Sequence, residues 1–278
     1  MFAKRVGNEN MMRFAAAEHK KDENYLLPNS ENLFYRLQAA FTENEISSFD
    51  TAKPVQKPDI YYESVGILLT RDSSYFLAVK AGCNGDSHNH NDTGSITVYK
   101  KGKPFLIDVG VETYSRKTFS SSRYEIWTMQ SAFHNVVNFG NKMQKDGAMY
   151  AAKVSEVILE KEKAGITMEL AGCYQEGTVN SYVRKVEFIK EQEIRVTDTC
   201  NPLPEDTYLS LMTLEQPELQ GKTLVIGELG KIYFESEFSA EIEEIKLTDP
   251  KLMKEWGEKL YRTKVYINDS KLTFSIKD

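Results

Sequence analysis

The chain has 278 residues, of which 41% are hydrophobic and 11% aromatic. That composition supports a sizeable core and excludes a largely disordered chain. A net charge of −6 excludes a whole-molecule basic field for nucleic acid, so an anionic ligand would need a local basic patch.

Residues 1–47 read as a helical segment. "NMMRFAAAEHKKD" is a weak helix. "SENLFYRLQAAFTENEI" is a stronger one, with Ser30 as N-cap and Leu33, Phe34, Leu37, Ala40 and Phe41 at helical spacing. Both have apolar faces that need a partner. The polar stretch 48–59 carries Pro54 and Pro58 and reads as a linker.

From 60 to 278 the texture changes. "IYYESVGILLT", "SYFLAVKAG", "GSITVYK", "KPFLIDVG", "YVRKVEFIK", "EIRVTDTC" and "KLTFSIK" are β-branched, aromatic and bounded by turn residues. A dozen or more such segments predict a mainly β fold, a large antiparallel β-sandwich. "DPKLMKEWGEKL" interrupts them. Asp249 as N-cap and Pro250 at the first helical position predict one short helix.

Cys83, Cys173 and Cys200 are too few and too scattered for a disulfide framework or a thiolate metal cluster. No apolar run approaches the ~20 residues of a membrane span, and no membrane partner is expected. The opening "MFAKRVGNENMMRF" lacks the apolar stretch of a secretory leader.

The chemistry concentrates in "GDSHNHNDTGSITVYKKGKPFLIDVG" and "SAFHNVV". Three of the four histidines, His88, His90 and His134, fall here, while His19 reads as a surface residue. An extended "HNHND" would point His88, His90 and Asp92 the same way. A hairpin turning near Lys101 and Gly102 would return Asp108 to the start of its outgoing strand. An acid after Phe105, Leu106 and Ile107 is costly unless paired or metal-bound. Two imidazoles and a carboxylate form a zinc-type ligand set, which His90, Asp108 and His134 fit. A second set, His90, Asp92 and His134, has the form of the non-haem iron triad. The arginine that would hold a 2-oxoglutarate cosubstrate is missing near His134, since the next one is Arg184.

"SHNHNDTGSITVYKKGKPFLIDVGVETY", followed by "SSSRYEIWTMQSAFHNVVNFGNKMQ", resembles the signature of the heparinase II/III-like polysaccharide lyases. The resemblance implies a structural zinc on His90, Asp108 and His134. It implies that His88 lines the active site and that a catalytic tyrosine follows the acid. Tyr114 best fits that place, and Tyr124 is the alternative; Tyr99 reads as a packing residue. The activity implied is β-elimination beside a uronic acid, with an acidic polysaccharide such as heparin, heparan sulfate or alginate as partner. Arg116 and Arg123 are candidate substrate-binding cations, with Lys100, Lys101, Lys103 and Lys117 as further local charge. Trp127 reads as core rather than as a sugar platform.

Members of the family carry a large helical toroid ahead of the sandwich. Residues 1–47 resemble the end of one, so the chain is expected to be a fragment of a longer lyase that binds metal and has weak or no turnover alone. A longer lyase of this kind would act in the periplasm, the cell envelope or outside the cell. The alternative reading is a non-catalytic carbohydrate-binding or scaffold module with a structural metal.

Overall fold

The computed structural model describes residues 2–21, 32–55 and 57–277. The chain divides into two compact units, Met1–Pro58 and Asp59–Asp278.

The first unit holds three helices, Phe2–Arg5, Glu9–His19 and Leu33–Ser48. Asn8 caps the second by accepting from the Met11 N–H at 2.9 Å. Asn32 caps the third through the Phe34 N–H at 2.8 Å. Ser30, the cap expected from sequence, lies outside the described residues. His19 is not a plain surface residue. Its Nε2 reaches Glu43 at 3.3 Å and Ser47 at 3.2 Å, joining the second helix to the third. Leu33, Phe34, Leu37 and Phe41 are all exposed, so the apolar face of the third helix is uncovered within this unit.

The second unit is built from antiparallel sheets. A five-stranded sheet runs in spatial order Ile60–Tyr62, Ile67–Arg71, Tyr75–Lys80, Ile96–Lys100 and Lys103–Leu106. An eight-stranded sheet orders Pro217–Gln220, Thr223–Ile226, Gly230–Phe234, Lys271–Lys277, Glu193–Asn201, Ser181–Ile189, Lys163–Glu169 and Lys153–Leu159. A four-stranded sheet orders Ser239–Lys246, Lys259–Tyr266, Thr207–Thr213 and Val137–Phe139. Cys83–Asn84 and Gly147–Ala151 form a small fourth ladder.

Period-two burial explains the stacking. Along Ser181–Ile189 alternate residues are buried, so one face of the strand is covered. Leu77, Val98 and Phe105 of the five-stranded sheet share one core with Val186, Ile194 and Phe274 of the eight-stranded sheet. Every residue of Thr207–Thr213 is buried, as expected for a strand covered on both faces. A second core gathers Ile107, Val109, Met212, Leu247, Leu252 and Leu260, with Trp127 and Trp256 packed against it. Leu252 belongs to the helix Pro250–Trp256, capped by Asp249 and ended by Gly257 at φ 83°.

Glu169 clamps the end of its strand. It accepts from the N–H groups of Ala171 at 2.9 Å and Tyr182 at 2.8 Å and from the Ser181 hydroxyl at 2.8 Å. Burial alone would raise its carboxyl, but these donors outweigh it and hold it below its ordinary value of 4.5. A depressed carboxylate contributes stability above its unfolded value and loses it as pH falls through the folded one. Glu169→Gln should therefore flatten the loss of stability below pH 4.5. The check is acid unfolding followed by tryptophan fluorescence, since both tryptophans, Trp127 and Trp256, lie in this unit. An unchanged acid limb counts against the clamp.

Candidate metal centre and catalytic pair

Lys101 and Gly102 take φ of 49° and 78°, the left-handed pair that a two-residue hairpin turn needs. Lys100 faces Lys103 across that turn. The hairpin therefore returns the chain toward Ile96 as the spacing predicts. The tip lysines sit far from its root: five residues of strand put Lys103 roughly 15 Å from Asp108.

The segment before the hairpin is not extended. His88 sits in a turn at φ 59°, so His88, His90 and Asp92 do not share one face. His88 is exposed, His90 is half-buried and Asp92 is buried. The reason is a polar staple beneath the loop. The Gln144 side chain donates to the Thr93 carbonyl at 2.7 Å and accepts from Asn84 Nδ2 at 2.8 Å and the Thr93 N–H at 3.1 Å. Those bonds draw the loop ends together and force its middle outward.

His90, Asp108 and His134 converge, with one ligand atom from each lying within 4.8 Å of the others. The His90 and His134 rings are 5.2 Å apart between centroids. Asp108 turns back on itself, its Oδ1 accepting from the Gly110 N–H at 2.8 Å. His134 is fully buried, and its Nε2 lies 3.1 Å from the Thr128 carbonyl. A carbonyl only accepts, so Nε2 carries a proton and, in the neutral ring, Nδ1 carries the lone pair. That Nδ1 faces Asp108 Oδ2 at 3.6 Å and has no hydrogen-bond partner. A lone pair aimed at a carboxylate calls for a proton or a cation between them.

The charges follow from this packing. Burial, then the charge of His134, pushes the His90 imidazole down to about 4. Burial alone would raise Asp108; the facing His134, helped by His90 and the Gly110 N–H, holds its carboxyl well below the usual range. Burial works to lower His134, and the Asp108 charge overrides it, so that ring is raised. Asp92 is committed elsewhere. It is ion-paired with Lys80, which weighs against the alternative set of His90, Asp92 and His134.

Two residues missed in the sequence hold the centre. Asn135 Nδ2 donates to the carbonyls of Ile96 at 2.8 Å and Ile107 at 2.9 Å, and its Oδ1 accepts from the Met212 N–H at 2.7 Å. It thus ties the hairpin root, beside Asp108, to the buried strand Thr207–Thr213. Arg184 is fully buried in the eight-stranded sheet. It grips Asp198 through two bonds of 2.7 and 2.8 Å and donates to the carbonyls of Gly94 at 2.8 Å and Asn135 at 2.6 Å. Gly94 has φ 92°, a conformation that strains any L side chain, and a Cβ there would also press on a Leu170 methyl at 2.5 Å. Asn135 follows His134 directly in "FHNVV", the one local signal for its place; Arg184 offered none.

His88 and Tyr114 also meet. Their rings stack with centroids 5.9 Å apart and an 11° tilt, and Tyr114 Oη lies 3.3 Å from His88 Nδ1. Tyr114 is 46% exposed. Tyr124 donates to Asn89 Oδ1 at 2.9 Å and lies outside that pair. The Arg123 guanidinium is occupied by the Thr118 and Asn89 carbonyls, both at 2.9 Å. Arg116 has no ion pair among the described residues, and Lys117 pairs with Glu125 at 3.0 Å. Tyr99 packs edge-on to Phe76, and Trp127 donates to Glu112 at 2.8 Å from the second core.

Among the described residues, no helix is long and apolar enough to cross a membrane. No match was found among curated protein sequences. Solved structures share the fold. A "Heparinase III-BT4657 gene product" aligns with TM-score 0.65 at 14% identity, over 88% of this chain and 40% of its own. A heparan sulfate lyase HepC mutant from Pedobacter heparinus aligns with TM-score 0.60 at 14% identity, over 97% and 42%. A chondroitin AC lyase mutant from Streptomyces coelicolor A3 aligns with TM-score 0.50 at 8% identity, over 100% and 40%. The chain spans about two fifths of the length of these structures. The family described as "Heparinase II/III-like, C-terminal" matches residues 54–260. With three quarters of its length matched and the sandwich shared, the chain belongs to the heparinase II/III-like C-terminal family.

Proposed function

We propose that this chain is the sandwich part of a polysaccharide lyase that cleaves a uronic-acid polysaccharide by β-elimination. We further propose that His90, Asp108 and His134 hold a structural zinc. The observation that carries the reading is the stacked His88 and Tyr114 pair, close in sequence to a convergent imidazole and carboxylate cluster. Zinc fits the donor set. Neighbouring ligands of a tetrahedral zinc sit roughly 3.3–3.5 Å apart, from bonds near 2.0–2.1 Å. The 3.6 Å gap at Asp108 and the orphaned His134 Nδ1 suit such an ion. When bound, zinc supplies a cross-link between the "HNHND" loop, the hairpin root and the "AFHN" turn, with no part in bond breaking.

The reaction asks for two proton transfers. A base removes the C5 proton, and the freed pair forms the C4–C5 double bond. The bond from C4 to the leaving oxygen breaks as that oxygen gains a proton. Tyr114 is the acid or base. His88, within reach of its phenol oxygen, assists it or neutralises charge. Arg116 is exposed and available to an acidic saccharide, whereas Arg123 serves first to hold the Asn89 backbone. Heparan sulfate, chondroitin and alginate are the substrates to try. A polysaccharide of that kind would be met outside the cytoplasm.

Turnover is read as ultraviolet absorbance of the 4,5-unsaturated product. Tyr114→Phe and His88→Ala should each lower it by about 10²–10⁴ without altering folding, as both side chains lie on exposed loops. Turnover that neither substitution changes sinks the assignment. In a binding module the two substitutions would have little effect on any measured activity.

A further inference from the structure

The helix Pro250–Trp256 is fastened to the loop that carries Tyr114. Asp249 Oδ2 accepts from the Thr113 N–H at 3.0 Å, across 136 positions of sequence. Trp256 Nε1 donates to the Val109 carbonyl at 2.9 Å. Leu252, 3% exposed, packs with Ile107 and Val109, the two residues that flank Asp108. One face of this helix is thus fixed to the segment 107–113.

Lys251 stands beside Leu252 and is exposed. Its ammonium lies over the Tyr114 ring, 5.5 Å from the centroid. Tyr114 is therefore bracketed by a lysine cation, by the stacked His88 ring and by Phe119 edge-on at 5.4 Å. Lys251 has no ion pair among the described residues, whereas Lys117 and Lys80 both have carboxylate partners. An unpaired point charge, held over an exposed phenol beside an exposed imidazole, is suited to a carboxylate.

We propose that Lys251, with His88 and Tyr114, forms a recognition subsite for the carboxylate of a uronic acid. The proposal rests on the reading of His88 and Tyr114 as the reacting pair. Lys251 contacts the ligand's acidic group, and a cation there would also favour loss of the adjacent C5 proton. The helix is its anchor, which is why Asp249, Leu252 and Trp256 bind the reactive loop rather than solvent.

The test is a calorimetric titration of the chain with an unsulfated uronate tetrasaccharide and with its carboxyl-reduced, neutral counterpart. Wild type should prefer the acid form, and added salt should erode that preference. Lys251→Gln should weaken acid binding about tenfold and leave the neutral form unchanged, with Lys251→Arg restoring most of the loss. Thermal melting should be the same for all three, because the side chain is exposed. Equal affinity of wild type and Lys251→Gln for the acid form, equal binding of both sugars by wild type, or binding of neither overturns the subsite. The lyase reading fails separately: it falls if Tyr114→Phe keeps wild-type turnover, whatever Lys251→Gln does.

Discussion

Arg184→Met should destabilise the sandwich unit by about 3–5 kcal/mol, because it strands the Asp198 carboxylate in the core. It also removes the donor that serves Gly94 and Asn135, and so loosens both segments that lead to the histidines. The double substitution Arg184→Met with Asp198→Leu should recover most of the stability, since no buried charge then remains. It should not recover the ordering of the metal centre, because the carbonyls stay unserved. Urea unfolding followed by tryptophan fluorescence reads this unit alone, as Trp127 and Trp256 both lie within it. A single-substitution cost under about 1 kcal/mol would falsify the keystone role.

Stripping the metal should have an effect of the same order. A ligand at a thousand times its Kd stabilises by about 4 kcal/mol. For a domain of this size that corresponds to roughly 10 °C in Tm. Purified chain should carry one zinc by elemental analysis, and chelation should lower the melting temperature by about that much. Asp108→Asn should melt like the stripped protein and ignore the chelator. This variant keeps the side chain's volume at a position 36% exposed, so it leaves no cavity. His134→Ala should behave likewise, with an added penalty for emptying a buried site. A chain that carries no metal and melts identically with and without chelator would rule the zinc out.

Much of the fold was legible because its signals are local. Lys101 and Gly102 need a left-handed pair, and "DP" with a later Gly marks a helix from both ends. Alternation in "SYVRKVEFI" declares a strand. Other elements leave no such trace. The stretch 117–133 folds as four short 3-10 turns, which are too brief for any period to register. Ser239–Lys246 is an acid-rich strand whose partners are cations across the ladder, with Glu241 on Lys264 at 3.1 Å and Glu243 on Arg262 at 2.8 Å. Its charge pattern hides its β character.

The candidate site divides the same way. Ligand chemistry put His90, Asp108 and His134 among the candidate sets; the hairpin returns Asp108 toward its root, and the turn after Ser131–Phe133 delivers His134. The orientation of His88 could not be read, because the bonds of Gln144 to Asn84 and Thr93 decide it. Arg184 and Lys251 reach the site from strands and a helix far along the chain, and nothing in their own neighbourhoods marks them.

Asn135 sits at the junction of all this, bonded at once to Ile96, Ile107, Met212 and Arg184. The scaffold of the centre is thereby inseparable from the closure of the sandwich. Under the proposed roles, a descendant could abandon chemistry by changing His88 and Tyr114 and still be obliged to keep the inner trio for shape. Counting the trio in a genome would then tally architecture, and only the proposed catalytic pair would tally enzymes.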